Sequence, residues 1–293
     1  MRALRIHGYG GPEVMHLDDV PLPQPAAGEI VVRLHAASVN PIDWKMREGL
    51  MQVPLPRTLG RDGAGIADGK RMLGIGAPGR DGTHAQYAAL PAAGCAEIPE
   101  GVSFDEAAAI GIAGLSAWIA LVENAKVEAG QRVLVHAGAG GVGSLAIQIA
   151  RARGAEVWTT CSARNAEWCH DLGASHTIDY RREDFGALGP RFDVVLDTIG
   201  GEVHAASAEV LRLGGTLCWL NAAPRHAVSR SDIQISATEV RASRERLDAL
   251  LSLLASKTLR APIEARFPLE RGIDAYELSR SGHARGKIVL QIS

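Results

Sequence analysis

The chain has 293 residues, enough for two domains of ordinary size, and 46% of them are hydrophobic. Its 31 basic and 33 acidic residues nearly cancel to a net charge of -2, and no five-residue run carries one sign of charge. This composition predicts a folded globular protein and gives no sign of nucleic acid or a membrane surface as a partner.

Four cysteines in a chain of this length, with no CxxC pair and no secretory leader, predict reduced thiols and not a disulfide framework or a metal clamp. The N-terminal residues contain no apolar leader. The uncharged stretches 107–122 and 133–150 are too short, or too interrupted by glycine, to predict a transmembrane span. We therefore expect a cytoplasmic protein.

The first 105 residues contain short β-branched runs separated by proline and glycine turns. One run, Ile30–Leu34, follows the proline-rich segment Pro21–Pro25, and another apolar run is Ala85–Ala88. This pattern is typical of a small antiparallel β-domain.

From Phe104 onward, apolar periods of helix and strand alternate, which predicts a doubly wound parallel sheet. The predicted helices are 107–122, 142–153, 165–172 and 203–211, and the predicted strands are 132–136, 156–160, 177–178, 192–196 and 216–220. Such a sheet binds its ligand at the carboxyl ends of the strands. Beyond residue 241, helices at 244–256 and 269–280 and strands at 263–267 and 287–292 either extend this sheet or rejoin the β-domain.

A glycine-rich turn joins the strand 132–136 to the helix that follows it. Its spacing, G-x-G-x-x-G, is typical of a dinucleotide-binding turn, in which the backbone approaches a diphosphate at a helix N-terminus. The alternative is a plain glycine turn. The candidate cofactor-binding residues are Gly138, Ala139, Gly140, Gly141, Val142 and Gly143.

The end of the next strand, 156–160, indicates which dinucleotide binds. No acid stands there to accept a hydrogen bond from a ribose 2'-hydroxyl, whereas Ser162 and Arg164 can donate to a 2'-phosphate. The sequence therefore favours NADPH over NADH. The alternative is that Arg164 only caps a solvated helix start.

Five motifs, in order along the whole chain, resemble one family: Gly10–Val14, Ala37–Asp43, Gly60–Gly65, Ala137–Gly143 and Gly286–Leu290. Through them the chain is similar to the zinc-independent, zeta-crystallin-like quinone oxidoreductases of the medium-chain dehydrogenase/reductase superfamily. The resemblance implies an α/β protein. It has a GroES-like β-domain (1–114 and 242–293), a Rossmann domain (115–241) and an active site in the cleft.

The resemblance also implies a function: a homodimeric enzyme that uses NADPH to reduce a quinone or an α,β-unsaturated carbonyl. It places Asn40, Ile42 and Asp43 beside the nicotinamide and the substrate. Lys45 stands two residues further on, where a cation would stabilise a developing enolate oxygen. The alternative is a solvated surface lysine. Asp62 is predicted to be a structural turn residue.

The family resemblance also implies cofactor contacts at three further strand ends. Tyr180 matches a tyrosine that packs at the 2'-phosphate, although a half-exposed aromatic at a strand end explains it equally well. Thr198 matches a cofactor contact at a strand end. The residues that match those flanking the nicotinamide are Leu220, Asn221 and Ala222.

Zinc-dependent members of the superfamily use Cys, His and Glu ligands that this chain lacks. Asn40 and Asp43 occur without a Cys, and Arg61–Asp62 replaces a His-Glu pair, so we expect no metal. Residues 66–70 are also shorter than the family pattern. No side chain stands out as a proton donor. The rival hypotheses are a zinc-free alcohol dehydrogenase and an NADPH-binding sensor or structural protein without turnover.

Overall fold

The structure is a computed structural model that describes residues 1–220 and 225–293. Its strands are β1 (Arg2–Ile6), β2 (Met15–Asp19), β3 (Glu29–Val39), β4 (Arg57–Thr58), β5 (Asp62–Ala67), β6 (Lys70–Ile75), β7 (Tyr87–Pro91), β8 (Cys95–Glu97), β9 (Arg132–Val135), β10 (Glu156–Cys161), β11 (His176–Asp179), β12 (Phe192–Asp197), β13 (Leu211–Leu220), β14 (Gln234–Thr238), β15 (Ile263–Pro268) and β16 (Lys287–Gln291). Its α-helices are α1 (Pro41–Arg47), α2 (Phe104–Trp118), α3 (Gly141–Ala152), α4 (Ala166–Leu172), α5 (Glu202–Glu209), α6 (Arg244–Ala255) and α7 (Gly272–Arg280).

Backbone contacts divide the chain into two compact units. Unit 1 contains Met1–Leu115 and Arg241–Ser293, and unit 2 contains Ser116–Val240. The boundaries differ by one residue from the domain limits expected from the sequence.

The main sheet of unit 1 runs in the order β15-β16-β3-β5-β6-β8, and β7 pairs with the first half of β3. Its pairings are antiparallel except for β15 with β16. A smaller sheet has the order β2-β1-β4. The hydrophobic core of this unit includes Leu34, Leu90, Tyr276 and Leu290, so the C-terminal segment packs together with the N-terminal one.

The short segment after residue 66 forms a minimal β-hairpin. Strands β5 and β6 pair up to Ala67 and Lys70, and only Asp68 and Gly69 connect them. Both residues have positive φ, 48° and 75°, as the preferred two-residue hairpin turn requires. Residues 66–70 therefore shorten the connection while keeping the strand pairing.

The sheet of unit 2 runs in the order β11-β10-β9-β12-β13-β14, with parallel pairing throughout. The sequence did not predict β14, and β13 begins at Leu211 rather than at residue 216. In a parallel sheet all carboxyl ends lie at one edge. The ends of β9, β10, β12 and β13 therefore bring the predicted cofactor residues to a common edge.

The apolar helix predicted at 107–122 is α2 continued by a π-helical turn over Ile119–Asn124. In the described part of the chain, the stretch Phe104–Asn124 alone is long and apolar enough to cross a membrane, and 72% of its most apolar window is buried. The core helix of a folded domain has the same properties.

Candidate active site

The glycine-rich turn lies between β9 and α3, as its spacing predicts. A Cβ atom on Gly138 would lie 2.0 Å from Thr159 Oγ1, and one on Gly143 would lie 2.2 Å from the carbonyl oxygen of Ala137. Packing inside the protein therefore requires glycine at both positions. The positive φ of the turn is at Ala137, 51°, and not at one of its glycines.

Gly140 differs from these two glycines because little of the protein occupies the space beside it. Among residues 1–220 and 225–293, a Cβ there would meet only the Ala137 carbonyl oxygen, at 3.3 Å. Gly140 is also the N-cap residue of α3, and it has no side chain to cap the helix. The first amides of α3 thus lack the usual side-chain acceptor and face a space that a side chain at residue 140 would fill.

The three residues expected at a 2'-phosphate lie where β10 and β11 end. Ser162 directly follows β10 and is buried, whereas Arg164 is exposed. The Tyr180 amide donates a hydrogen bond to the Cys161 carbonyl oxygen at 3.3 Å, so the two strand ends are joined, and the Tyr180 side chain is 56% exposed. The nearby Asp179 is paired with Arg182 at 3.8 Å. The structure thus offers serine, arginine and tyrosine side chains at one strand edge.

Thr198 follows β12 and donates a hydrogen bond from its hydroxyl to the His136 carbonyl oxygen at 2.9 Å. This bond ties the end of β12 to the glycine-rich turn. Leu220 is the last residue of β13 and is partly buried. Asn221 and Ala222 lie outside the described residues.

A buried histidine, His136, directly precedes the glycine-rich turn and supports it by hydrogen bonds. Sequence reasoning missed this role. His136 Nδ1 lies 3.1 Å from Thr160 Oγ1, and Nε2 lies 3.0 Å from Ser207 Oγ. Since the Ser207 hydroxyl donates to the Val203 carbonyl oxygen, it accepts from Nε2–H of a neutral imidazole. Burial lowers the pKa of His136 to about 4, against an opposing effect of Asp197.

In unit 1, the predicted Asn40 and Asp43 form a reciprocal cap at the start of α1. The Asn40 amide N–H donates to Asp43 Oδ2 at 2.7 Å, and Pro41 occupies the first helical position. The Asp43 side chain has no exposed surface, and burial raises the pKa of its carboxyl group. The Asp43 carboxylate is thus enclosed beneath the helix start, and its place beside the nicotinamide and the substrate stays a prediction.

Asp62 is the centre of a buried hydrogen-bond network beside this cap. Its Oδ1 accepts from Ser38 Oγ and from Asn40 Nδ2, both at 2.8 Å, and its Oδ2 accepts from the Ile112 amide at 2.7 Å. A Cβ on Gly111 would lie 2.6 Å from the Asp62 side chain. The interpretation of Asp62 as a turn residue is wrong, because it begins β5 and joins β3 to α2.

Lys287 completes the network from the first position of β16. Its Nζ donates to Asn40 Oδ1 at 2.5 Å, and the residue is only 3% exposed. Burial lowers the pKa of the ammonium group, while the nearby Asp62 and Asp43 carboxylates oppose this effect. Both ends of the Asn40 amide are thus bonded, which fixes its orientation.

His84 extends the buried network toward α7. Its Nδ1 lies 2.7 Å from the Tyr276 hydroxyl, and its Nε2 lies 3.1 Å from the Ser38 carbonyl oxygen. A carbonyl oxygen only accepts, so Nε2 carries the proton and Nδ1 accepts from Tyr276. Burial raises the pKa of the Tyr276 hydroxyl well above its ordinary value.

The chain is similar to two known protein families and to several known proteins. Residues 26–70 match the family described as alcohol dehydrogenase GroES-like domain, and residues 172–290 match the family described as zinc-binding dehydrogenase. The 2-methylene-furan-3-one reductase of Solanum lycopersicum is 31% identical over 99% of this chain and 79% of its own length. The quinone oxidoreductase of Coxiella burnetii is 33% identical, with a TM-score of 0.93 over 100% of this chain and 99% of that one.

The chain belongs to the zinc-independent quinone oxidoreductase branch of the medium-chain dehydrogenase/reductase superfamily. The Escherichia coli quinone oxidoreductase, solved in complex with NADPH, is 27% identical, with a TM-score of 0.89 over 99% of this chain and 100% of that one. The fold class expected from the sequence, a GroES-like β-domain with a Rossmann parallel sheet, is confirmed.

On α1, Ile42 and Lys45 are both partly exposed, as are Trp44 and Met46, whereas Asp43 and Arg47 are buried. Lys45 Nζ lies 5.8 Å from the centroid of the Trp44 ring. Asn40 is only 4% exposed. Of the four predicted catalytic residues, Ile42 and Lys45 are partly exposed, and Asn40 and Asp43 are buried.

Sequence reasoning did not join the other members of the network, which are far apart along the chain. They are Ser38, Asp62, His84, Tyr276 and Lys287. One signal was available, because Lys287 begins an apolar strand in a chain with far more arginine than lysine. A lysine in such a position is rarely buried without a polar partner.

Proposed function

We propose that the protein is an NADPH-dependent oxidoreductase that transfers a hydride to a quinone or an α,β-unsaturated carbonyl compound without zinc. The observation that carries this proposal is the uncapped N-terminus of α3 beside the open face of Gly140, at the carboxyl edge of a parallel sheet. The relatives named as quinone oxidoreductases and as a 2-methylene-furan-3-one reductase supply the substrate classes.

The residues of unit 2 fit NADPH. The amides of Gly141, Val142 and Gly143 at the start of α3 hold the diphosphate, because a helix N-terminus carries donors and positive potential. Arg164 and Ser162 hold the 2'-phosphate by charge-assisted and neutral hydrogen bonds, and Tyr180 packs against it. Thr198 and Leu220, at the ends of β12 and β13, would contact the nicotinamide half of the cofactor. When bound, NADPH supplies the hydride.

The residues of unit 1 orient the substrate and stabilise charge. Asn40 and Asp43 are positioning residues, since their side chains fix the first turn of α1. Lys45, two residues beyond Asp43, places a cation on the same helix and stabilises the oxygen on which negative charge develops. Ile42 supplies an apolar contact. The final proton comes from water, because α1 carries no accessible carboxyl side chain near Lys45.

The proposal of a zinc-free site rests on the residues that occupy the expected ligand positions. Asn40, Asp43, Arg61 and Asp62 stand there, and arginine is not a zinc ligand. Asp62 and Asn40 share one hydrogen bond, and their remaining oxygens accept from the Ile112 amide and the Lys287 ammonium group. In the described residues no group of three or more His, Cys, Asp or Glu side chains is arranged to hold a metal.

The test is NADPH consumption by the purified protein with 1,4-benzoquinone, 9,10-phenanthrenequinone, 2-methylene-furan-3-one and a simple alkyl enone. Calorimetric titration of NADPH is the control, and metal analysis by mass spectrometry accompanies both. Turnover without stoichiometric zinc supports the proposal. Tight NADPH binding without turnover on any acceptor contradicts it and favours the sensor hypothesis.

We also infer that the enzyme is a cytoplasmic homodimer. The homodimer rests on the family resemblance alone, and light scattering coupled to gel filtration tests it. The cytoplasmic location is supported by four free, buried cysteines. Fractionation of the host cell, with an antibody to the protein, tests the location.

A further inference from the structure

A groove of about 470 Å³ lies within unit 1, and the proposed reaction does not use it. One wall is the proline-rich segment Pro21–Leu22–Pro23, and another contains Pro54 and Pro56. Leu22 is 56% exposed. The groove shares no lining residue with the Asn40 network. Its volume falls within the range of about 300–1,000 Å³ typical of small-molecule sites.

Two arginines hold the walls of this groove in place. Arg80 Nη2 donates to the Gln24 carbonyl oxygen at 3.0 Å, and Arg5 Nη2 donates to the Pro56 carbonyl oxygen at 3.0 Å. Both arginines are also paired with carboxylates. Arg80 lies 2.7 Å from Glu29, and Arg5 lies 3.5 Å from Asp81. Their charges are therefore largely balanced within the protein.

Arg57 lines the same groove, and its charge is not balanced in this way. Its Nη1 donates to the Gly79 carbonyl oxygen at 2.8 Å. No carboxylate of the described residues lies within 4 Å of its guanidinium. Burial lowers the pKa of Arg57, and the positive charges of Arg5, Arg80 and Arg61 lower it further, against the opposing effect of Asp81. An anion bound at Arg57 would offset the repulsion from the neighbouring arginines. It would also give the Arg57 guanidinium group a partner of opposite charge.

We propose that this groove binds an amphipathic anion, with one carboxylate or phosphate group at Arg57 and an apolar chain or ring over Pro21–Pro23, Pro54 and Pro56. The rigid proline rings offer apolar surface at little entropic cost, and the exposed Leu22 side chain gains burial. A carboxylate and a phosphate are recognised in the same way here. Each accepts hydrogen bonds from the planar guanidinium group of Arg57, whose N–H donors are not all used within the protein.

The test is calorimetric titration of decanoate and decyl phosphate, below their micellar concentrations, into the protein saturated with NADPH. Saturation fills the phosphate site of unit 2, so that remaining binding lies elsewhere, and K45M, which should leave it unchanged, separates the groove from the proposed substrate site. We expect one site per chain for at least one of the two anions, and the tighter of them identifies the head group. Decyltrimethylammonium and inorganic phosphate are expected to bind much more weakly than either anion.

Two variants and a control locate the site. R57Q should weaken anion binding about tenfold or more, because a charge-assisted hydrogen bond is lost. L22E, at an exposed position, should do the same by repulsion without removing an internal hydrogen bond. R271Q, an exposed arginine of unit 1 outside the groove, should leave binding unchanged. Absence of anion binding to the wild type, equal binding of the cationic amphiphile, or unchanged binding in both R57Q and L22E would overturn the proposal.

Discussion

The ammonium group of Lys287 donates a hydrogen bond of 2.5 Å to Oδ1 of Asn40, although 247 residues separate the two along the chain. The same amide donates through Nδ2 to Asp62 at 2.8 Å. One residue from the last strand of unit 1 thus fixes the residue that begins α1. The position of Lys45, one turn further along that helix, depends on this contact.

Replacing Lys287 by Met should lower kcat/KM for a quinone about tenfold or more, because Asn40 Oδ1 loses its donor and the start of α1 loses its fixed geometry. NADPH affinity should change little, since the residues that fit NADPH lie in unit 2. K287R should restore part of kcat, and K70M, at an exposed lysine of β6, is the control. Steady-state kinetics and calorimetry measure the two effects. A wild-type kcat/KM in K287M would contradict the positioning role.

Replacing Lys45 by Met should lower kcat with an enone substrate about tenfold to a hundredfold, because the developing oxyanion loses a cation. KM for NADPH and the melting temperature should stay close to wild type, since the Lys45 side chain is partly exposed and makes no buried hydrogen bond. Stopped-flow measurement of the hydride-transfer step, with K126M in unit 2 as control, checks this. Unchanged turnover would remove Lys45 from the chemistry.

Replacement by alanine should have different consequences at Gly140 and at Gly138. G140A should fold normally and lose NADPH affinity about tenfold or more, since its Cβ meets only one protein atom and fills the space beside the α3 amides. G138A should instead lose about 1–3 kcal/mol of unfolding free energy, because its Cβ would collide with Thr159. Chemical denaturation and NADPH titration of both variants separate the two effects. Equal stability losses would argue against a phosphate role for Gly140.

Replacing Arg164 by Glu should reverse the preference between the two cofactors. The new carboxylate repels a 2'-phosphate and can accept a hydrogen bond from a 2'-hydroxyl, so KM for NADPH should rise about tenfold or more while KM for NADH stays constant or falls. R182E, one strand end away, is the matched control. Initial rates with each cofactor are the measurement. A preference for NADH in the wild-type enzyme would already refute the assignment.

The stability of the protein should fall as the pH drops from about 6.5 to 4. Buried His136 has a pKa of about 4 when folded, whereas the unfolded chain titrates near the ordinary value of 6.5, so only the unfolded state takes up a proton in this range. The loss amounts to at most about 3 kcal/mol. Denaturant unfolding at several pH values should show a smaller dependence in H136N and an unchanged one in H16N, at an exposed histidine. An identical pH dependence in H136N would contradict this origin.

The sequence by itself determined most helices and strands of unit 2 and the place of the glycine-rich turn, although not β14. Hydrophobic periodicity and the positions of the glycines mark β9, the glycine-rich turn and α3, because each of these elements depends on residues a few positions away along the chain. The two packing glycines, 138 and 143, and the open one, 140, all occur within one local motif. The lack of an acid after β10 is likewise readable from the sequence, since its effect on a 2'-phosphate is local.

Only the tertiary structure decided what surrounds Asn40. The partners of its amide come from β3, β5 and β16, so no spacing along the chain could reveal them. The structure also decided that Asp43 is enclosed and that Lys45 is not. Burial depends on how distant strands pack over the start of α1, and no local pattern in the sequence reports that packing.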